Sequence, residues 1–228
     1  GASAMELEEY NFDFGFVLDT GPPVGSYVHR TAYHDKLDVT IVGRPAHAGK
    51  DPEHGINAIQ VAAHAIANMK IGRISPNTTS NVGIIQGGTA VNVVCPEVTV
   101  RCEARSTSLE ELEEQVRGMI VAFEEAGTKF GAVVHMDHRR HYDAYHVEAS
   151  EIVVAVGQAA SRHLGLDPEL RVTLGGSDAN IFNKMGIPTI VMGTGMKAIH
   201  THDEHVSRED LVLTAKLTYE IIAHVGRM

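Results

Sequence analysis

Hydrophobic and polar positions change rhythm twice along the 228 residues. Phe12 to Leu18 is a nearly unbroken apolar run closed by Asp19 and the turn signal Thr20-Gly-Pro-Pro, which predicts a short buried strand. From about Arg30 the pattern alternates. Leu37, Val39 and Ile41 are separated by polar residues, as in a strand with one buried and one wet face. A loop (43–55) then leads into Ile56 to Met69, predicted as a helix with Ile56, Ile59, Ala63 and Ile66 inward. Val82 to Ile85 predicts a strand and Gly87-Gly88 a turn. A further strand is expected from about Asn92, with Val98, Val100, Cys102 and Ala104 inward and Thr99, Arg101, Glu103 and Arg105 on its other face. Ser108 and Glu111 predict a capping box for a helix whose stripe runs through Leu109, Leu112, Val116, Met119, Phe123 and Phe130. Ala132 to Met136 predicts a closing strand. The order β-α-β-β-α-β is the ferredoxin-like arrangement, which leaves one sheet face and one edge open to a second copy.

The rhythm changes again at the polar and aromatic segment 138–150, where His138, His141 and His146 are expected to be solvated linker residues. A helix (Glu151 to Leu164), a strand (Leu170 to Leu174) and a buried strand (Ile187 to Met192) follow. Ser207 and Asp210 cap a last helix carrying Leu211, Leu217 and Ile221. This part is α/β, unlike the middle. The expected organisation is therefore residues 1–29 and 138–228 as one domain split by an inserted domain, 30–137.

The stretch Gly175 to Glu204 holds the densest candidate chemistry. A glycine pair is followed by Ser177-Asp178 at a helix start, then by a buried strand and His200, His202 and His205 with Asp203 and Glu204 among them. Such an order suits a ligand site at the carboxyl end of a parallel strand, and the histidines suit a metal. A polar surface loop explains the spacing equally well. Asp19, at the end of its own strand, reads either as a site carboxylate or as a turn cap.

Composition narrows the classes. A net charge of −10 with no basic stripe excludes a nucleic-acid surface. No apolar run is long enough to span a membrane. Cys95 and Cys102, seven residues apart, are expected on opposite strand faces as reduced thiols, and a cytoplasmic setting follows.

Four motifs, GRPAHAGKDPEHGINAI, GGTAVNVVCPEVTVRCEARS, GGSDANIFNKMGIPTIVMGTG and IHTHDEHVS, occur in an order that resembles the peptidase T-like (tripeptidase) branch of the co-catalytic zinc metallopeptidases. Aminoacylases and succinyl-diaminopimelate desuccinylase are more distant members. The resemblance implies a zinc-exopeptidase-like α/β catalytic domain interrupted by a ferredoxin-like lid that dimerises. It also implies two divalent metal ions, zinc, and hydrolysis of short peptides through a metal-bridging water. On the matching positions, Asp19 is the acidic metal ligand and His200 the late histidine ligand, while His202 and His205 inherit no role. His47 matches the lid histidine that stabilises the oxyanion of the partner subunit's site. Asn92 matches a substrate-contacting asparagine, and Arg105 the arginine that holds a substrate carboxylate. By the residues alone, Arg105 is a surface charge beside Glu103. Gly175, Gly176 and Ser177 match the substrate-lining loop, and Asp178 could equally serve only the helix dipole.

Where the family's first metal histidine (in a His-x-Asp motif), bridging aspartate and base-and-ligand glutamate pair should stand, this chain has no counterpart before Asp19. Glu8-Glu9 lies too close to Asp19, in a run read as a surface helix. The expectation is the carboxyl-terminal portion of such an enzyme, inactive alone and binding metal weakly or not at all. The other readings are an amidohydrolase of N-acyl amino acids and a non-catalytic dimerisation or binding module of the same fold.

Overall fold

The computed structural model describes residues 2–5 and 11–228, so the expectation for Glu8-Glu9 lies outside the described residues. In chain order the elements are β1 (Gly15–Thr20), β2 (Ser26–Arg30), β3 (Tyr33–Val42), α1 (Ala58–Asn68), β4 (Gly72–Arg73), β5 (Thr78–Gly87), β6 (Glu97–Ser106), α2 (Leu109–Phe130), β7 (Val133–Tyr142), α3 (Ile152–His163), β8 (Glu169–Val172), α4 (Asp178–Lys184), β9 (Thr189–Gly193) and α5 (Arg208–Val225). They fall into two compact units, residues 1–32 with 143–228, and Tyr33–Tyr142.

The first unit is built on a mixed four-stranded sheet of order β1-β9-β2-β8. β9 is parallel to β1 and antiparallel to β2, which is parallel to β8. Every residue of β9 is buried, as suits the mainly apolar sequence of a central strand. Tyr27 on β2 is fully buried, and its hydroxyl is placed 2.7 Å from the Gly157 carbonyl and 2.8 Å from Ser161 Oγ of α3. A Cβ at Gly157 would lie 2.9 Å from that ring, so the helix reaches the sheet only because residue 157 has no side chain. α5 buries Leu217 and Ile221, whereas Leu211, expected inward, is 58% exposed.

The second unit is a ferredoxin-like antiparallel sheet of order β4-β5-β6-β3-β7, with α1 and α2 packed on one core. The inward set Val98, Val100, Cys102 and Ala104 is buried as the alternation requires. Cys95 precedes β6 rather than lying on it, so both free cysteines enter the same core instead of opposite faces. Residues 92–96 are loop. α1 turns Ala58, Val61, Ala62 and Ala65 inward and leaves Ile59 and Ala63 exposed. Small alanines let this helix sit close to the sheet, with Ile66 packed at the edge of that contact and Ile59 outside it. On α2 Leu112, Val116, Met119 and Phe123 are buried, but Leu109 is exposed.

Two local expectations are corrected. Ser108 Oγ accepts from the Glu111 amide, but the Glu111 carboxylate does not return to the cap. It accepts from Ser75 Oγ (2.6 Å), Thr78 Oγ1 (2.5 Å) and Asn77 Nδ2 (3.5 Å), fastening the turn before β5 to α2. The segment 138–142 is not linker but the end of β7. His138 pairs at 2.8 Å with Asp35, which also takes Arg140, and Asp35 is 2% exposed. His141 stacks edge-on against His34, ring centroids 5.1 Å apart. A polar strand whose partners are carboxylates and rings is indistinguishable by composition from a solvated linker. His146 does fall outside β7, bridging to Arg30 and lying 3.4 Å from Glu148.

Phe123→Ala should lower the stability of the second unit by about 3–5 kcal/mol in denaturant unfolding, because the ring is fully buried among Leu112, Val116 and the sheet. His34, 3% exposed, is held neutral: burial and the Arg105 charge depress its pKa from 6.5 to about 4, against the pull of Glu103. The unfolded chain takes up that proton below pH 6.5 while the folded one does not until about pH 4, so this contribution is present above pH 6.5 and lost as pH falls through that window. Wild type should therefore lose about 2 kcal/mol more than His34→Phe between pH 7 and pH 4.5, measured by parallel urea titrations.

Candidate active site

Asp19 is aimed by an irregularity in the sheet. β1 pairs with β9 in register from Gly15 to Leu18, and then the register slips between Leu18 and Thr20. Asp19 is left at the bulge, at the carboxyl end of one of two parallel strands, where such a device re-aims a side chain. The chain leaving β9 is tied to the same point, since the Thr194 amide (2.9 Å) and Oγ1 (3.0 Å) both donate to the Thr20 carbonyl. These two bonds fix where the loop that carries His200 leaves the sheet.

The loop holds a strained conformation. Ala198 and His200 have φ of 52° and 65°, values unusual for residues with a side chain. The His200 amide donates to Glu204 Oε2 at 2.7 Å, Thr201 Oγ1 donates to the Ala198 carbonyl at 2.7 Å, and paired backbone bonds between Lys197 and His205 close the loop. His200, His202 and His205 are all exposed, with His205 Nδ1 2.7 Å from the Asp203 carbonyl. The Asp19 carboxyl is raised above its ordinary range by partial burial first, then by Asp178 and Glu204, with His200 opposing. Asp178, His200 and Glu204 are thus the charged groups that act on Asp19. Glu204 was not singled out by sequence reasoning; its spacing of four from His200 was the available signal.

Ser177 and Asp178 open α4 as expected. Ser177 Oγ accepts from the Ala179 amide, and Asn180 Oδ1 accepts from the Ser177 amide. Asn180, 4% exposed, also donates to Thr31 Oγ1 and the Asp143 carbonyl, both at 2.9 Å, which anchors the Gly175-Gly176-Ser177 approach. The Gly175 amide donates to Thr173 Oγ1 at 3.0 Å, and Gly176 is exposed.

Among the described residues, no group of three or more His, Cys, Asp or Glu side chains is disposed to hold a metal ion. Asp19 and His200 are the right donor types, but a catalytic zinc takes three protein ligands, so the set present does not fit a complete centre.

In the second unit the loops bearing His47 and Asn92 are stitched together. His47 bridges to Val93, the Ala48 amide donates to the Asn92 carbonyl (3.0 Å), and the Val94 amide donates to the Ala46 carbonyl (3.0 Å). Both side chains are exposed, and His47 Nδ1 accepts from the Gly49 amide at 3.2 Å. Arg105 stands elsewhere, on the sheet face without helices. Its Nε and Nη2 donate to the Glu103 carboxylate at 3.1 and 2.9 Å, and Nη1 lies 3.4 Å from the Tyr142 hydroxyl. No described helix is long and apolar enough to cross a membrane.

Residues 34–129 match the family model described as a peptidase dimerisation domain. An uncharacterised protein of Bacillus subtilis, YqjE, is 37% identical over 227 residues, covering 100% of this chain and 61% of that protein. The crystal structure of a tripeptidase from Staphylococcus aureus superposes with a TM-score of 0.93 at 35% identity, covering 100% of this chain and 61% of the other. That of aminopeptidase PepT from Bacillus cereus gives 0.87 at 38% identity, with 99% and 61% covered. The chain spans about 61% of the length of these relatives. Residues 34–129 thus carry the peptidase dimerisation domain, and the chain as a whole is similar to the carboxyl-terminal portion of relatives named peptidase T and tripeptidase.

Proposed function

We propose that these residues form the lid and the second part of the catalytic domain of a metal-dependent exopeptidase of tripeptidase type, which hydrolyses short peptides in the cytoplasm. The observation that carries this reading is the convergence of Asp19, turned out by its bulge, with His200, on the loop leaving the parallel neighbour strand. In this reading the two side chains supply part of the ligand set for two divalent ions, zinc, and the remaining ligands belong to the length that the relatives have beyond this chain's span. His47 donates to the oxyanion of a partner subunit's site, where charge appears only in the transition state. Asn92 contacts substrate, Arg105 holds its carboxylate, and Gly175, Gly176 and Ser177 wall the pocket.

Homodimerisation through the second unit belongs to the same reading. β4 pairs only with Ser80 and Thr79, so the rest of β5 has an open edge among the described residues. Beside it Ile84 and Ile85 are exposed, as is Ile59 on α1. An edge with apolar side chains at its rim is what a second copy would cover.

The isolated 228-residue chain should carry well under one equivalent of zinc after desalting and should not turn over a tripeptide. Stoichiometric tightly bound zinc, or measurable release of the amino-terminal residue, would sink the ligand assignment. In light scattering at tens of micromolar the chain should run as a dimer, and Ile85→Glu should shift it to monomer without changing its circular dichroism. A wild-type monomer at that concentration would refute the interface.

A further inference from the structure

Arg105 does not stand alone on its sheet face. Directly across the strands, His34 on β3 pairs in register with Arg105 on β6, and Tyr142 on β7 pairs with His34. Glu103 lies two residues before Arg105 on the same face. Its carboxylate accepts from Nε and Nη2, the side-on edge of the guanidinium, in the two-bond geometry that fixes the plane of the fork. On its other side, Glu103 Oε2 is 2.9 Å from His34 Nε2. Neither nitrogen of that buried imidazole has a partner along a hydrogen-bond direction among the described residues, so the contact of this neutral ring is one of close packing. The ring is itself wedged edge-on by His141 and Tyr142, centroids 5.1 and 5.0 Å away.

From this arrangement we infer that Glu103, backed by His34, is a positioning residue that orients Arg105 to receive the carboxylate of the peptide substrate end-on, through Nη1 and Nη2. The inference rests on the reading of Arg105 given above and deepens it. A long arginine side chain loses considerable rotamer freedom when it must present two parallel donors at a fixed place. Glu103 removes that freedom before the substrate arrives, and the preorganisation shows up as affinity. Glu103 does not act as a displaceable stand-in for the substrate, because two strands hold it: Arg105 on its own strand and the buried ring of His34 on the next. Its ionisation fits a fixed role. Burial raises its pKa, but the hydrogen bonds and charge of Arg105, with His34 adding, carry it below the ordinary range. The side-on edge is the edge a neighbour two residues away on the same strand face can reach.

The test uses the full-length enzyme and two substrates, a tripeptide with a free carboxyl end and the same tripeptide as its carboxyl-terminal amide. Arg105→Ala should abolish the preference for the free acid. Glu103→Gln, nearly the same shape but uncharged and with one acceptor fewer, should raise KM for the acid about tenfold, the scale of one charge-assisted hydrogen bond, and leave kcat within about twofold. KM for the amide should not move, and the double variant should be no worse than Arg105→Ala alone. Glu103→Asp, which keeps the charge on a shorter arm, should restore part of the acid preference; it also serves as the readout if the glutamine variant melts early. A Glu103→Gln enzyme that weakens both substrates equally, binds the acid as well as wild type, or binds it more tightly overturns the inference, the last outcome marking Glu103 as a competitor. If Arg105→Ala keeps the acid preference, the Arg105 reading fails first; if Arg105→Ala loses the preference and Glu103→Gln keeps it, only the role of Glu103 fails.

Discussion

The first unit depends on a close approach at Gly193. A Cβ there would lie 2.3 Å from the Pro23 carbonyl oxygen, 2.5 Å from Ser26 Oγ and 3.0 Å from the Gly21 carbonyl oxygen. The turn between β1 and β2 therefore folds over the end of β9 only because residue 193 has no side chain. That approach lets Thr194 donate twice to the Thr20 carbonyl, and the double bond fixes where the histidine loop departs. Asp19 stands at the bulge one residue earlier, and the His200 charge acts on it although the two are far apart in the chain. The site is placed by the sheet, and its side chains inherit that placement.

The legible part of this chain is the part where one physical signal dominates. Alternation along β6 identified its buried residues individually, and the capping serines at 108, 177 and 207 marked three helix starts to within a residue. Asp19 and His200 were selected by motif resemblance, and the fold sets them at the ends of chain segments leaving two parallel neighbour strands. Where two signals compete, periodicity misleads. On α1 Ile59 and Ala63 face out while Ile66 packs against the core, because Val61 and the other alanines take the centre of the contact. Glu111 satisfies the capping-box spacing and yet serves a distant turn, since three hydroxyl and amide donors there outweigh a single backbone amide. The polar end of β7 was illegible for a deeper reason. Asp35 is compatible with burial only because His138 and Arg140 on the neighbouring strand pair with it, and pairing across strands carries no local sequence signature.

The two faces of the second unit's sheet differ in chemistry. The helix side is a dry core from Leu37 to Phe123, where any change of volume is felt. The opposite side carries ionic and aromatic groups in cross-strand rows, of which His34, Arg105 and Tyr142 form one. Because side chains alternate, the same strand β6 contributes Cys102 and Ala104 to the core and Glu103 and Arg105 to the open face. The rigid core thereby holds the polar row at a fixed pitch without using any of its donors.

Each unit also closes its own hydrophobic cluster: Tyr27, Val153, Ile190, Met192 and Leu217 in the first, and Leu37, Ile41, Val61, Leu112, Met119 and Phe123 in the second. No residue is shared between the two clusters. Core substitutions placed one in each cluster have no common packing partner, so their free-energy costs should sum within about 0.5 kcal/mol. Substitutions within the Glu103–Arg105–His34 row should not, because each side chain there is oriented by the next and removing one leaves the others unaligned. Additivity thus separates the parts of this chain that hold it together from the part that is arranged to meet something else.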